Sequence, residues 1–331
     1  MNDFQRYLAD EFAEDYQEGR LSRRQALKLI ASVTGSLVMA NSILAACAPV
    51  NPTGTASVAE TEAPPSPTAQ ANTPAAPTAS ATPTTLAAPG NTPAAYGTVS
   101  PDDPAVQAEM VEFPGEDATL QAYLARPASE EAAPVILVCH ENRGLTEHIK
   151  DVARRLAKAG YVALAVDLLS RQGGTGALSS DQVPGALGNT PPDQFVQDFQ
   201  SGWRYLQGQS FAQAERVGMV GFCFGGGVTW RVATRMPELK AAVPFYGPHP
   251  PIEDVPGINA AVLAIYGELD QRINQGIPAI EEAMRQNNKI YEKMIYPNAD
   301  HAFHNDTGTR YNAEAARDAW KRTLEWFEKY V

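Results

Sequence analysis

A cysteine flanked by glycines is the most reactive side chain that the sequence offers. Cys223 stands in the run Gly-Phe-Cys-Phe-Gly, after the apolar segment Val217 to Val220 and before a helix-like stretch that starts with two further glycines. Glycines on both sides of a nucleophile permit a tight strand-to-helix turn, the nucleophile elbow. The helix dipole at that turn lowers the pKa of a thiol and favours the thiolate. We predict that Cys223 is a nucleophile; the alternative is a buried structural cysteine.

An acid and a histidine follow the cysteine in the chain order that an α/β-hydrolase requires. Asp270 lies just beyond the apolar run 261–266, and His301 follows the last apolar run of the sequence. His301 would take the thiol proton and later deliver one to the leaving group, while Asp270 would orient the imidazole. His304 is the alternative base, and Glu268 is the alternative acid. We predict that Asp270 and His301 complete a triad with the cysteine.

The loop His140 to Leu145 follows another apolar segment and supplies further polar groups. In an α/β-hydrolase this loop contributes one N–H to the oxyanion hole, and the residue after the nucleophile contributes the other. We predict the backbone N–H groups of Asn142 and Phe224 as these donors. Glu141 would keep the cysteine protonated until substrate arrives, because a nearby carboxylate opposes a thiolate. Alternatively, Glu141 forms an ion pair with Arg143 on the surface.

The elements that would position these residues alternate in type over residues 105–331. Apolar strand-like runs alternate with amphipathic helix-like ones, which is typical of a mainly parallel sheet with helices on both faces. The first two runs predict an antiparallel hairpin. We therefore predict a single α/β domain with an eight-stranded α/β-hydrolase fold. The predicted strands are 107–113, 119–125, 135–139, 162–167, 217–221, 241–246, 261–266 and 291–296, and the predicted helices are 147–159, 193–207, 226–236, 278–287 and 313–330.

Taken together, three motifs resemble the dienelactone hydrolase family over residues 106–331. They are His-Glu-x-x-Gly-Leu after the third strand, Gly-Phe-Cys-x-Gly-Gly at the elbow, and the later Asp and His-Ala-Phe. The resemblance implies that Cys223, Asp270 and His301 form the family triad. It also implies that Glu141 is the family's glutamate beside the resting cysteine, and that no cofactor is needed.

The same resemblance implies a substrate class. It predicts hydrolysis of a small ester or lactone through an acyl-enzyme, and the nearest alternatives are carboxylesterase and thioesterase activity. One position departs from the pattern, because Asn305 stands where members that act on dienelactone carry an arginine. Arg171 is a weak match to a sequence found near the family's other substrate-binding arginine.

The first 46 residues carry an export pattern. Ser-Arg-Arg-Gln-Ala-Leu-Lys at 22–28 precedes a moderately apolar run, Leu29 to Ala46, which ends in Leu-Ala-Ala-Cys. This resembles a twin-arginine signal joined to a lipobox, with Ala26 where the signal usually carries Phe. It predicts cleavage before Cys47 and lipidation of its thiol, which would anchor the exported protein at the outer face of the cytoplasmic membrane or in the cell envelope. The alternative is an uncleaved transmembrane anchor.

Composition limits the remaining segment and the partners. Residues 47–104 are rich in Pro, Thr, Ala and Ser and almost uncharged, which predicts a disordered linker. The formal net charge of −12 disfavours nucleic acid as a partner, since that binding requires clustered Lys and Arg. The partners that we expect are a small-molecule substrate and, through the lipid anchor, the membrane. The sequence does not fix the oligomeric state.

Two other functions stand as alternatives. A non-catalytic binding lipoprotein of this fold predicts a missing triad member, and none is missing. A metallohydrolase could use His140, His301 and His304, because His-x-x-His spacing can ligate zinc. A metallohydrolase would not explain the glycine-flanked Cys223, so we predict no metal.

Overall fold

The structure is a computed structural model that describes residues 1–46 and 97–331. The predicted lipidation site Cys47 and most of the predicted linker lie outside the described residues. Val99 falls within the predicted linker range, yet it is buried: its N–H donates to the Asp151 carboxylate at 2.7 Å, and its carbonyl accepts from Arg154 at 2.7 Å. The folded part of the chain therefore includes residues ahead of the predicted boundary at 105.

Eight strands of the described residues form one sheet. They are β1 (Val106–Pro114), β2 (Thr119–Pro127), β3 (Ala133–Cys139), β4 (Val162–Asp167), β5 (Ala212–Phe222), β6 (Ala241–Phe245), β7 (Ala261–Gly267) and β8 (Tyr291–Tyr296). They lie in the order β1-β2-β4-β3-β5-β6-β7-β8. Strand β2 pairs antiparallel with β1 and β4, and the other neighbouring pairs are parallel. The sheet confirms the predicted hairpin and the predicted fold class.

The helices fall into an N-terminal group and a group that alternates with the strands. They are α1 (Asp3–Gln17), α2 (Arg23–Thr34), α3 (Leu37–Ala46), α4 (Glu147–Lys158), α5 (Val183–Asn189), α6 (Pro192–Gln207), α7 (Phe224–Arg235), α8 (Gln271–Asn274), α9 (Ile277–Gln286) and α10 (Ala313–Tyr330). Short 3₁₀ turns cover Ser170–Gln172, Thr175–Ala177 and Ile252–Gly257. The five predicted helices correspond to α4, α6, α7, α9 and α10.

Helices cover both faces of the sheet. Gly218 of β5 faces Phe327 of α10, whereas Leu164 of β4 faces Gly202 of α6. Gly218 and Leu164 are in register with successive residues of β3, whose side chains point to opposite faces. Strands β3 to β7 are therefore enclosed, which explains why β4 and β7 are buried along their whole length while the edge strand β1 is partly exposed.

The N-terminal helices pack on the hydrolase domain. The predicted apolar run 29–46 is divided by Gly35, which ends α2 in the left-handed conformation with φ 68°. Helix α2 contacts α1, α3 and α5. Helix α1 was not predicted; its N-cap Asn2 and Gln5 form a capping box. Among the helices of residues 1–46 and 97–331, none has both the length and the hydropathy that a membrane span requires.

Candidate active site

Cys223 occupies a strained turn between β5 and α7. Its backbone has φ 58° and ψ −121°, and its N–H donates to the Phe245 carbonyl at 3.1 Å. A Cβ on Gly221 would lie 2.1 Å from the Gly225 oxygen, and a Cβ on Gly225 would lie 2.4 Å from the His140 oxygen. Both distances are too short for any side chain. The glycines are thus required by close backbone approach, as the nucleophile elbow predicts.

The predicted acid and base meet at the same edge of the sheet. Asp270 follows β7 and caps α8, and its Oδ1 accepts from the Ile273 N–H at 3.3 Å. His301 follows β8, and its Nδ1 lies 2.6 Å from Asp270 Oδ2. Both side chains are buried. The orienting hydrogen bond that a triad requires is therefore present, and His301 rather than His304 makes it.

Each member of this pair changes the pKa of the other. Burial lowers the pKa of His301, but the charges of Asp270 and Cys223 outweigh burial and hold that pKa well above its usual value. Burial raises the pKa of Asp270, but the charge and hydrogen bond of His301 outweigh it, so that pKa is lowered. The carboxylate of Asp270 therefore makes His301 a stronger proton acceptor.

The thiol of Cys223 lies beside His301. Its pKa is raised rather than lowered. Cys223, His301 and Glu11 each offer an atom within 4.8 Å of the others. Burial raises the pKa of Cys223 and the Glu11 carboxylate raises it further, while His301 opposes both. The sequence predicted a lowered pKa from the helix dipole. The raised pKa contradicts that prediction, and its direction is the one that the sequence analysis expected of a carboxylate beside the thiol.

Two residues of α1 reach the nucleophile and were missed by the sequence analysis. Tyr7 Oη lies 3.3 Å from Cys223 Sγ, and Glu11 Oε1 lies 3.6 Å from the same sulfur. A signal for this helix was available: apolar residues at positions 4, 7, 8 and 12 have the spacing of one helical face.

The two predicted oxyanion donors lie beside the elbow. Phe224 is the first residue of α7, and Asn142 lies in the loop after β3. That loop touches the elbow, because the carbonyl oxygens of His140 and Cys139 face Gly225. Within the described residues, neither the Phe224 N–H nor the Asn142 N–H donates to another protein group.

Glu141 is buried, and its hydrogen-bond partner is not Arg143, with which the alternative prediction paired it on the surface. Its Oε2 accepts from Asn305 Nδ2 at 2.7 Å, whereas Arg143 is exposed. Among the causes that raise the pKa of Cys223, after burial and Glu11, is the Glu141 charge. The position is therefore consistent with the predicted gating role, and Asn305, the residue that departs from the family pattern, is the one that holds Glu141.

His140 and His304, the other two histidines of the metallohydrolase alternative, have contacts that support the fold. His140 Nε2 accepts from the Leu168 N–H at 3.2 Å, and its Nδ1 lies 2.7 Å from the Glu141 carbonyl. Burial lowers the pKa of His140. His304 packs against the rings of Phe222 and Trp320. In residues 1–46 and 97–331, the three histidines of the metallohydrolase alternative do not form a ligand cluster.

Arg171 is not brought to the triad. Its guanidinium donates to both oxygens of Asp198, at 2.9 and 2.8 Å, and to Asp117 at 2.9 Å. The guanidinium that the weak motif match predicted for substrate binding is therefore already paired with the carboxylates of Asp117 and Asp198. A substrate-binding role for Arg171 remains a prediction without a contact to support it.

Comparisons with known proteins identify the family to which the chain is similar. The sequence matches the Dienelactone hydrolase family over residues 120–331. A relative described as "Putative carboxymethylenebutenolidase" from Methylorubrum extorquens is 39% identical over 250 residues, which cover 72% of this chain and 86% of that protein. One with the same description from Escherichia coli (strain K12) is 35% identical over 259 residues, which cover 73% and 94%.

A solved structure gives the same result. The crystal structure described as "Putative Dienelactone Hydrolase" from Klebsiella pneumoniae has a TM-score of 0.64 and 33% identity, and it covers 68% of this chain and 100% of that chain. The family match includes the elbow and the positions of Asp270 and His301. This chain, with its eight-stranded α/β-hydrolase sheet, belongs to the dienelactone hydrolase family and is a hydrolase.

Proposed function

We propose that the protein hydrolyses a small ester or lactone with Cys223 as nucleophile, His301 as base and Asp270 as orienting acid. The observation that carries this proposal is the convergence of the three side chains. They follow the carboxyl ends of β5, β8 and β7, and the 2.6 Å contact between His301 and Asp270 fixes the imidazole. Parallel strands present such residues at one edge of the sheet, where α/β enzymes bind their substrates.

The reaction has two halves. His301 takes the thiol proton, the sulfur of Cys223 attacks the carbonyl carbon, and the resulting oxyanion accepts hydrogen bonds from the two predicted donors. His301 then protonates the leaving alkoxide, which leaves an acyl-thioester on the enzyme. Next, His301 removes a proton from water, the hydroxide attacks the thioester, and the carboxylic acid leaves as the sulfur recovers its proton. In a lactone, the alcohol remains joined to the acid product.

The substrate class is proposed more broadly than dienelactone. Asn305 supplies a neutral amide, and it is already bonded to Glu141 at 2.7 Å. An arginine would instead offer a full positive charge to a substrate carboxylate. We therefore expect this protein to accept neutral short-chain esters or lactones at least as well as dienelactone.

The location of the enzyme forms part of the proposal. The arginine pair and the Leu-Ala-Ala-Cys sequence support export followed by lipidation at Cys47, with the enzyme held at the envelope by a linker. A Pro-rich linker extends by roughly 3.1 Å per residue, so it could hold the hydrolase well away from the bilayer. The partners are then the membrane lipid and a small ester substrate.

A substrate screen tests the proposal. The chain that begins at residue 97, which contains the whole family match, is assayed on p-nitrophenyl esters, lactones, thioesters and dienelactone. We expect ester or lactone turnover that is lost in Cys223→Ala and retained in Cys139→Ala. Absence of turnover on every class, with the fold verified by circular dichroism, would contradict the proposed function.

A further inference from the structure

The apolar face of α1 is docked directly on the elbow. Phe4 and Leu8 are buried, and the Phe4 ring lies 4.9 Å from the ring of Phe224 and 5.5 Å from that of Phe195. Burial of a large apolar side chain stabilises its contact, so this face holds the helix in place. Helix α1 therefore covers the start of α7, directly beside Cys223.

The polar residues of the same face occupy the reaction site. Tyr7 lies 3.3 Å and Glu11 lies 3.6 Å from the sulfur of Cys223, and the cysteine residue as a whole is only 3% exposed. Glu11 Oε1 also accepts from the Asn142 side chain at 3.1 Å. An ester carbonyl has no access to a sulfur enclosed in this way, and an anion next to the oxyanion donors opposes the charge that must develop there.

Ion pairs add further contacts between α1 and the hydrolase. Arg272 donates to Glu14 at 2.9 Å, and its guanidinium lies 4.7 Å from the centre of the Tyr7 ring. Arg310 lies 3.8 Å from Asp15. Glu14 and Asp15 of α1 are thus matched by cations of the hydrolase, which indicates a specific contact rather than a chance one.

Helix α2 adds further contacts. Lys28 forms an ion pair with Asp181, and Asn189 Nδ2 donates to the Ser32 carbonyl at 3.0 Å. The family match begins only at residue 120, and 68% of this chain covers all of the Klebsiella protein. The N-terminal segment is therefore an addition to a hydrolase that is complete without it.

We propose that residues 1–46 are an intramolecular inhibitor of the hydrolase, and that their removal opens the active site. Removal would occur when a signal peptidase uses water to hydrolyse the Ala46–Cys47 peptide bond, so the enzyme would be silent before export and active afterwards. This inference rests on the proposed function and on the predicted cleavage site. Its structural part, the shielding of Cys223 by α1, rests on neither.

Undocking α1 in the full chain tests the shielding. Leu8→Glu places a carboxylate at a position that is 0% exposed, whereas Gln17→Glu introduces the same residue at an exposed position of the same helix. The rate of iodoacetamide alkylation at Cys223 is measured by peptide mass spectrometry. If the shielded state holds about 99% of the molecules, undocking raises that rate by up to about 100-fold. We expect at least a tenfold rise, about 1.4 kcal/mol, for Leu8→Glu and none for Gln17→Glu.

A second variant protects the test against misfolding. Glu11→Gln keeps the size of the side chain and removes the charge beside the sulfur, and we expect it to raise the alkylation rate with the far-UV circular dichroism unchanged. An alkylation rate equal to that of the wild-type full chain in both Leu8→Glu and Glu11→Gln would overturn the proposal. So would a fall in the rate, which would show that α1 assists the thiol.

Hydrolysis of p-nitrophenyl acetate separates this inference from the proposed function. We expect Leu8→Glu to hydrolyse the ester at least tenfold faster than the wild-type full chain. Faster alkylation without hydrolysis in any variant would contradict the proposed function while leaving the shielding intact. Equal hydrolysis by the wild-type full chain and Leu8→Glu would contradict inhibition while leaving the hydrolase proposal intact.

Discussion

Glu141 and Asn305 are joined by a hydrogen bond of 2.7 Å between Oε2 and Nδ2. The bond holds a buried carboxylate near the thiol of Cys223, and that charge adds to burial and Glu11 in raising the pKa of the thiol. Asn305 is the residue that departs from the family pattern. In this protein the substitution therefore supplies a partner for Glu141.

Removal of the Glu141 charge should make the resting thiol more reactive. In the chain that begins at residue 97, Glu141→Gln removes a negative charge that disfavours the thiolate, so the pKa of Cys223 falls. We expect the alkylation profile to shift to lower pH, while Glu131→Gln, an exposed control, leaves it unchanged. An unchanged profile in a folded Glu141→Gln protein would show that Glu141 only supports its loop.

The contact between the elbow and the His140 loop should tolerate no side chain. A Cβ at position 225 would lie 2.4 Å from the His140 oxygen and 2.6 Å from the Cys139 oxygen, and both are backbone atoms. We expect Gly225→Ala to destabilise the fold by about 1–3 kcal/mol, measured by urea denaturation. Gly176→Ala is the control, because a Cβ there meets nothing within 4 Å. Equal stability of the two variants would refute the close approach.

The pair of His301 and Asp270 should make stability depend on pH. The pKa of His301 is raised in the folded state, so its charged pairing stabilises the fold below the unfolded pKa of about 6.5 and is lost as pH rises through the folded value. Asp270→Asn removes the partner charge, so the pKa of His301 should fall. We expect this variant to lose the decline in unfolding free energy above about pH 6.5 and to lower kcat by about 10²–10⁴. Urea denaturation across pH checks the first result, and a wild-type pH profile in the variant would contradict it.

Lipid attachment should depend on one cysteine. Cys47→Ser removes the thiol that the lipobox predicts as the acceptor, so fatty-acid labelling should vanish and the precursor should remain uncleaved. Cys223→Ser, which changes a buried cysteine outside the leader, should be labelled like the wild type. Fatty-acid labelling that persists in Cys47→Ser would remove the lipoprotein proposal.

Most of the fold and the positions of the three candidate triad residues could be predicted from local patterns. The glycines around Cys223 and the order of Asp270 and His301 reflect a geometry that the chain must adopt, and the apolar runs mark strands enclosed on both faces. The effect of Glu11 on the pKa of Cys223 could not be predicted, because Glu11 is 212 residues away in the sequence. The ion pair between Arg171 and Asp198 also could not be predicted from the positions of the two residues in the sequence.

Formation of an acyl-enzyme on Cys223 is the most direct test of the triad. The chain that begins at residue 97 is mixed with p-nitrophenyl acetate, quenched rapidly and digested, and the peptides are weighed by mass spectrometry. We predict one acetyl group on the peptide that contains Cys223, no such adduct in Cys223→Ala, and a loss of several orders of magnitude in kcat for that variant. Turnover in Cys223→Ala above about a tenth of the wild-type kcat, or an acetyl group on a different residue during wild-type turnover, would contradict the account.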